Sequence, residues 1–176
     1  MNCTRCHQEL PADASAGGFL AWGVFGLLLA YGYRLRILFV LGAGSLAMYV
    51  AALLYSWAGG SAAEGIARPE GLFPVAVALL LLALAEPRRH PPGFSAACRL
   101  LGSILLLGPM VLLAELGSLS YLPLGGTTVE VVYQVAGFVV SAALIAVGVA
   151  RRRRPLVYSG TTAFVLLLLL KFVDWW

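Results

Sequence analysis

From Gly17 to Val173 the chain repeats one pattern: an apolar run, a short polar break, and at every second break a cluster of arginines. The runs fall near 17–33, 37–57, 70–86, 96–116, 129–150 and 155–173. At ~1.5 Å per helical residue most of them approach the ~30 Å thickness of a hydrocarbon core. In that solvent each backbone N–H and C=O must be satisfied within the protein, which leaves the α-helix as the fold for such runs. The expected class is all-α, a polytopic transmembrane helix bundle of about six spans over 17–176. A short extramembrane tail, 1–16, precedes it.

Composition excludes the main alternative. Hydrophobic residues make up 61% of the chain and charged residues 11%, too few charges to coat a soluble globule of this length. The net charge of +4 does not point to nucleic acid, because the arginines sit at the ends of apolar runs instead of along one polar face. The segment before the first run sets Arg5 against Glu9 and Asp13. It lacks the positive n-region of a signal peptide, and no small-residue cleavage site follows, so the run reads as a retained helix.

The arginines also orient the bundle. Arg34 and Arg36 lie between the first two spans, Arg88 and Arg89 between the third and fourth, and Arg151, Arg152, Arg153 and Arg154 between the last two. With six alternating spans these anchors, joined by Arg99, fall on one side, leaving Arg5, Arg68 and Lys171 opposite. The positive-inside rule assigns the arginine side to the cytoplasm and both termini to the outside. The 58–71 and 117–128 loops are then outside. Trp57, Trp175 and Trp176 at one boundary, with Tyr31 and Tyr33 at the other, form an aromatic belt that needs no ligand to explain it.

Two spans carry local peculiarities. The third is short for a bilayer, and the fourth contains Gly108-Pro109, where Pro removes one helical hydrogen bond and favours a kink. Gly42-Ala43-Gly44-Ser45 superficially resembles a dinucleotide turn, but it lies inside an apolar run with no strand before it. Together with Ala47 and Ala51, and with Gly137 and Ser141 further on, it predicts close helix packing.

The most specific motif is Cys3-Thr4-Arg5-Cys6-His7. Two thiolates at this spacing can grip zinc, and the segment resembles the first half of a zinc ribbon with His7 as a third ligand. A tetrahedral site needs four ligands, so a complete one would require a second copy of the chain. The same residues fit Cys-x-x-Cys-His attachment of covalent haem, and an inert knuckle is the third reading.

Elsewhere the chemistry is sparse. Glu115 and Glu130 flank one outer loop, with Tyr133 and Gln134 one turn deeper than Glu130, and compose a candidate outer cation or proton site. Arg99 and Lys171 sit near span ends, where long side chains snorkel at little cost. No zinc-protease motif, nucleophile elbow or phosphate-binding loop occurs, so no catalytic residue is expected.

The run Arg151-Arg152-Arg153-Arg154-Pro155-Leu156-Val157-Tyr158-Ser159-Gly160, with the helix ending Lys171-Phe172-Val173-Asp174, resembles an element of bacterial multi-pass membrane proteins grouped as a domain of unknown function. Tyr31-Gly32-Tyr33-Arg34-Leu35-Arg36 and Tyr55-Ser56 are similar to the same group. The resemblance implies a helical membrane protein and supplies no catalytic residues. Such proteins often continue into further spans after the Asp-bearing helix, so Trp176 ends either a short member or a truncated one. The expected function is a non-enzymatic accessory or scaffold subunit, with the lipid bilayer and other membrane subunits, or further copies of itself, as partners. The alternatives are a small transporter or channel using the outer acidic cluster, and a metal- or redox-responsive protein using Cys3 and Cys6.

Overall fold

The computed structural model describes residues 12–57, 59–85, 94–122 and 124–176. Among them the regular structure is entirely helical: α1 (Ala12–Tyr33), α2 (Arg36–Trp57), α3 (Ala62–Ala67), α4 (Phe73–Ala85), α5 (Phe94–Glu115), α6 (Gly126–Ala150) and α7 (Arg154–Trp175). Short 3-10 turns at Pro69–Leu72 and Gly117–Leu119 precede α4 and follow α5. Five helices, α1, α2, α5, α6 and α7, are long and apolar enough to cross a membrane.

The third run is the exception. Its α-helical part has 13 residues, about 20 Å of axis. It nevertheless runs between the same two ends of the bundle as its neighbours. At its start Glu70 meets Ser120 and Tyr133, and near its end Ala83 joins Ala30, Phe39, Phe94 and Cys98 in one buried cluster. The chain therefore crosses the bundle six times, once by a short helix extended by a 3-10 turn. α1 begins at Ala12, ahead of the apolar run, and its span-length part is Ala16–Tyr33. α5 runs on through Pro109 without a break.

Small residues bring the helices together. The buried stripe of α2 is Gly42, Ala43, Ala47, Ala51 and Ala52, which packs α1 on one side and α3 and the Pro69 turn on the other. A methyl group on Gly42 would stand 2.8 Å from the Leu27 nitrogen and 3.0 Å from the Gly23 carbonyl oxygen. Glycine is thus required for this approach of two backbones. In α6, Gly137 and Ser141 are both buried and face α7, where Leu167 closes on Gly137 and Gly160 on the Ser141 carbonyl. The helix-packing expectation holds for Gly42, Ala43, Ala47, Ala51, Gly137 and Ser141; Gly44 faces open space.

Both described arginine turns end their preceding helix in the same way. Arg34 (φ 56°) and Arg152 (φ 51°) adopt the left-handed conformation. The next N–H then reaches back five residues, from Leu35 to Ala30 at 3.1 Å and from Arg153 to Gly148 at 2.7 Å. These are Schellman closures with arginine where glycine is usual, at a cost of about 1 kcal/mol or more each. Arg36 and Pro155 line one groove, so the two turns share an end of the bundle, together with a Tyr31–Phe39–Phe94 aromatic cluster. Arg88 and Arg89 lie outside the described residues.

Candidate functional site

At the opposite end, the two long loops of the chain are fastened to each other through Glu70. Pro69 opens the 3-10 turn, and Gly71 lets it seat against Ala51: a Cβ on Gly71 would stand 2.7 Å from the Ala51 methyl. This seating holds the Glu70 carboxylate toward α6 and the 117–125 segment. The Ser120 and Tyr133 hydroxyls both donate to Glu70 Oε1, and the Tyr121 N–H donates to Oε2 at 2.7 Å. Ser120 is itself buried and accepts from the Leu122 N–H at 3.1 Å. One carboxylate thereby collects three donors from residues 50 to 63 positions away. Charge-assisted hydrogen bonds of this kind are stronger than neutral ones, and stronger still where water is scarce.

Arg68 completes the arrangement from the other side. Its Nη1 donates to the Ser120 carbonyl at 2.7 Å, and its guanidinium lies over two tyrosine rings, 5.4 Å from the Tyr55 centroid and 5.2 Å from that of Tyr121. The two rings are 5.3 Å apart. Arginine suits this place because its planar, weakly hydrated cation stacks on aromatic faces while still donating in the plane. Burial pushes the Tyr121 hydroxyl above its ordinary pKa; Arg68 works against the shift, and Glu70 and Tyr55 add to it. Leu54, Tyr55, Arg68, Glu70, Gly71 and Tyr121 line an open cleft of about 560 Å³. Before it, α3 is fixed by a capping box in which Ser61 and Glu64 bond reciprocally, each contact 3.3 Å. The Ser61 bonds hold the exposed Glu64 carboxyl below its ordinary pKa.

Glu115 and Glu130 lie at this same end. Glu130 Oε1 accepts from the Gly117 N–H at 3.4 Å, securing the start of the 3-10 turn that follows Glu115. Glu115 Oε1 is buried without a hydrogen-bond partner among the described residues. Gln134 donates from Nε2 to the Ala114 carbonyl at 3.0 Å, whereas Tyr133, one position earlier, turns to Glu70. No group of three His, Cys, Asp or Glu suited to a metal ion occurs among the described residues. Cys3, Cys6 and His7 lie outside them.

Sequence reasoning did not single out Glu70. A signal was present: the two longest loops carry complementary polar groups, Arg68-x-Glu70 in one and Ser120-Tyr121 in the other. Arg99 also departs from expectation. Its side chain is buried, 6% exposed, and donates from Nη1 to Ser95 Oγ on its own helix at 3.0 Å, with Nε unpartnered among the described residues. Arg99 lies in the second turn of α5, which packs against α7.

In the Glu70 cluster three donors converge on one carboxylate and the cation lies over two rings, an arrangement suited to holding the two loops in place. Comparison of the chain with protein-family models, with curated proteins and with solved structures found no match.

Proposed function

We propose that this chain is a non-enzymatic multi-pass protein of the bacterial cytoplasmic membrane, an accessory or scaffold subunit, with its arginine end in the cytoplasm and the Glu70 clasp outside. One observation carries the reading: the charges of the described helices gather at the two ends. No charged residue lies deeper in a helix that crosses the bundle than Arg99, the sixth residue of α5. Between the ends the described buried residues are chiefly Ala and Leu, with two hydroxyls among them: Ser103 donates to the Leu100 carbonyl of its own helix at 2.9 Å, and Ser141 has no hydrogen-bond partner among the described residues. A translocation path needs polar groups converging at mid-depth, and a small-residue interior supports a structural role.

A second reading has its own support in Glu115 Oε1, buried without a hydrogen-bond partner among the described residues at the same end as Glu130, since a buried acid there could take a cation in a small transporter. Purified protein reconstituted in liposomes separates the two. Proton and monovalent-cation flux equal to that of protein-free vesicles, together with stoichiometric co-purification of a membrane protein in mild detergent, is the expected result. Flux that disappears in Glu115→Gln or Glu130→Gln would overturn the scaffold reading. A third reading, metal or redox response through Cys3, Cys6 and His7 with zinc or covalent haem, is tested by metal content and visible absorption of the same preparation.

A further inference from the structure

The arginine end borders two apolar grooves on the bundle's flank. The first groove, about 400 Å³, lies between α2, α5 and the start of α7, with Arg36 and Pro155 at its edge. The second, about 410 Å³, continues between α5 and α7 past Ile104 to Val111 and Leu166. Leu100 lines both, so they meet in one channel. From Leu100 to Val111 the channel follows α5 for about 16 Å, close to the ~15 Å half-thickness of a hydrocarbon core.

At the head of this channel the charges are unbalanced. Arg36 edges the first groove and is exposed, and Arg153 and the exposed Arg154 line a neighbouring cleft of about 260 Å³ that shares Tyr158 with the second groove. The first turn of α7 opens on Pro155 with no side-chain cap, which presents the positive end of a helix dipole to the same place. No carboxylate faces these cations among the described residues; the one acid that the sequence sets at this end, Glu86, lies outside them.

We propose that this channel holds one anionic phospholipid from the leaflet at the arginine end. Its phosphate sits among Arg36, Arg153 and Arg154, and one acyl chain lies along Leu100 and Ile104 between α5 and α7. Guanidinium groups recognise phosphate oxygens in a bidentate manner, and basic pockets between membrane helices select anionic headgroups for this reason. The inference rests on the placement of the bundle in a membrane and not on the scaffold role, so either can fail without the other.

The test is native mass spectrometry of the full chain, purified in mild detergent and exchanged into equal amounts of phosphatidylglycerol and phosphatidylcholine. One phosphatidylglycerol per chain should be retained in preference. Arg36→Gln and Arg154→Gln, both at exposed positions where the fold is not at stake, should each weaken that retention about fivefold. Ile104→Trp, which fills the channel, should lower retention with all arginines intact. Equal retention of the two lipids, an undiminished preference in the Arg36→Gln, Arg154→Gln double variant, or displacement of the lipid by inorganic phosphate alone would overturn the proposal.

Discussion

The Tyr133 hydroxyl donates to the Glu70 carboxylate across 63 residues of sequence, tying the first turn before α4 to the second turn of α6. Because Ser120 and the Tyr121 N–H share the same carboxylate, the bond belongs to a clasp and not to a single pair. Removing Glu70 leaves several donors unsatisfied at once. Glu70→Ala is expected to lower stability by about 2–4 kcal/mol, Tyr133→Phe by about 1–2 kcal/mol, and Glu70→Gln by an intermediate amount, since an amide keeps one acceptor. Thermal unfolding in detergent checks the order. Limited proteolysis should show cleavage of the 117–125 loop rising in the same series.

Titration of Tyr121 sets an alkaline limit on the clasp. Burial, the largest cause, raises its pKa above the ordinary tyrosine value. A group whose folded pKa is raised contributes stability that is complete below the unfolded value, near 10, and is lost as pH rises through the folded one. Wild type should therefore lose stability above pH ~10 more steeply than Tyr121→Phe, with the two curves parallel at neutral pH. Identical slopes would show that the hydroxyl is not part of the coupling.

The α1–α2 crossing depends on Gly42. Gly42→Val places methyl groups where the Leu27 nitrogen stands 2.8 Å from an added Cβ, and should destabilise the pair by about 1–3 kcal/mol through overpacking. Gly44→Val, on the same helix with nothing within 4 Å, is the control and should be near neutral. Hydrogen exchange along α1 reads the difference directly.

The left-handed arginine turns give a further pair of tests. Arg34→Gly should relieve backbone strain and Arg34→Val should add to it, separating the variants by about 1–2 kcal/mol although both remove the charge. Orientation reports on charge alone. In a background lacking Cys3, Cys6 and Cys98, Leu124→Cys should react with an impermeant thiol reagent on intact cells, and Arg151→Cys only after permeabilisation. The reverse pattern would invert the proposed topology.

Much of this molecule was open to sequence reasoning, and the reason is solvent. A lipid environment removes every alternative to the helix for runs such as 37–57 or 129–150, and small residues at Ala43, Ala47 and Ala51 announce a packed face by spacing alone. The short third run was visible as short. The Schellman turns at Arg34 and Arg152 were not, because nothing in an arginine signals a positive φ that glycine would adopt more cheaply.

The polar chemistry divides differently. By itself the sequence determined that Glu115 and Glu130 bracket a loop and that Glu70 stands at the start of the third apolar run, since these are statements about neighbours along the chain. Only the tertiary structure decided that Tyr133 turns to Glu70, that Arg68 lies over both Tyr55 and Tyr121, and that Arg99 is enclosed. Each of these depends on which helices become neighbours and at what rotation. Hydropathy fixes where a helix lies in depth, but it is nearly the same around the circumference of α1, α2 and α7. Rotation is settled instead where surfaces meet closely, as Gly42 meets α1, Gly71 meets Ala51 and Gly137 meets Leu167.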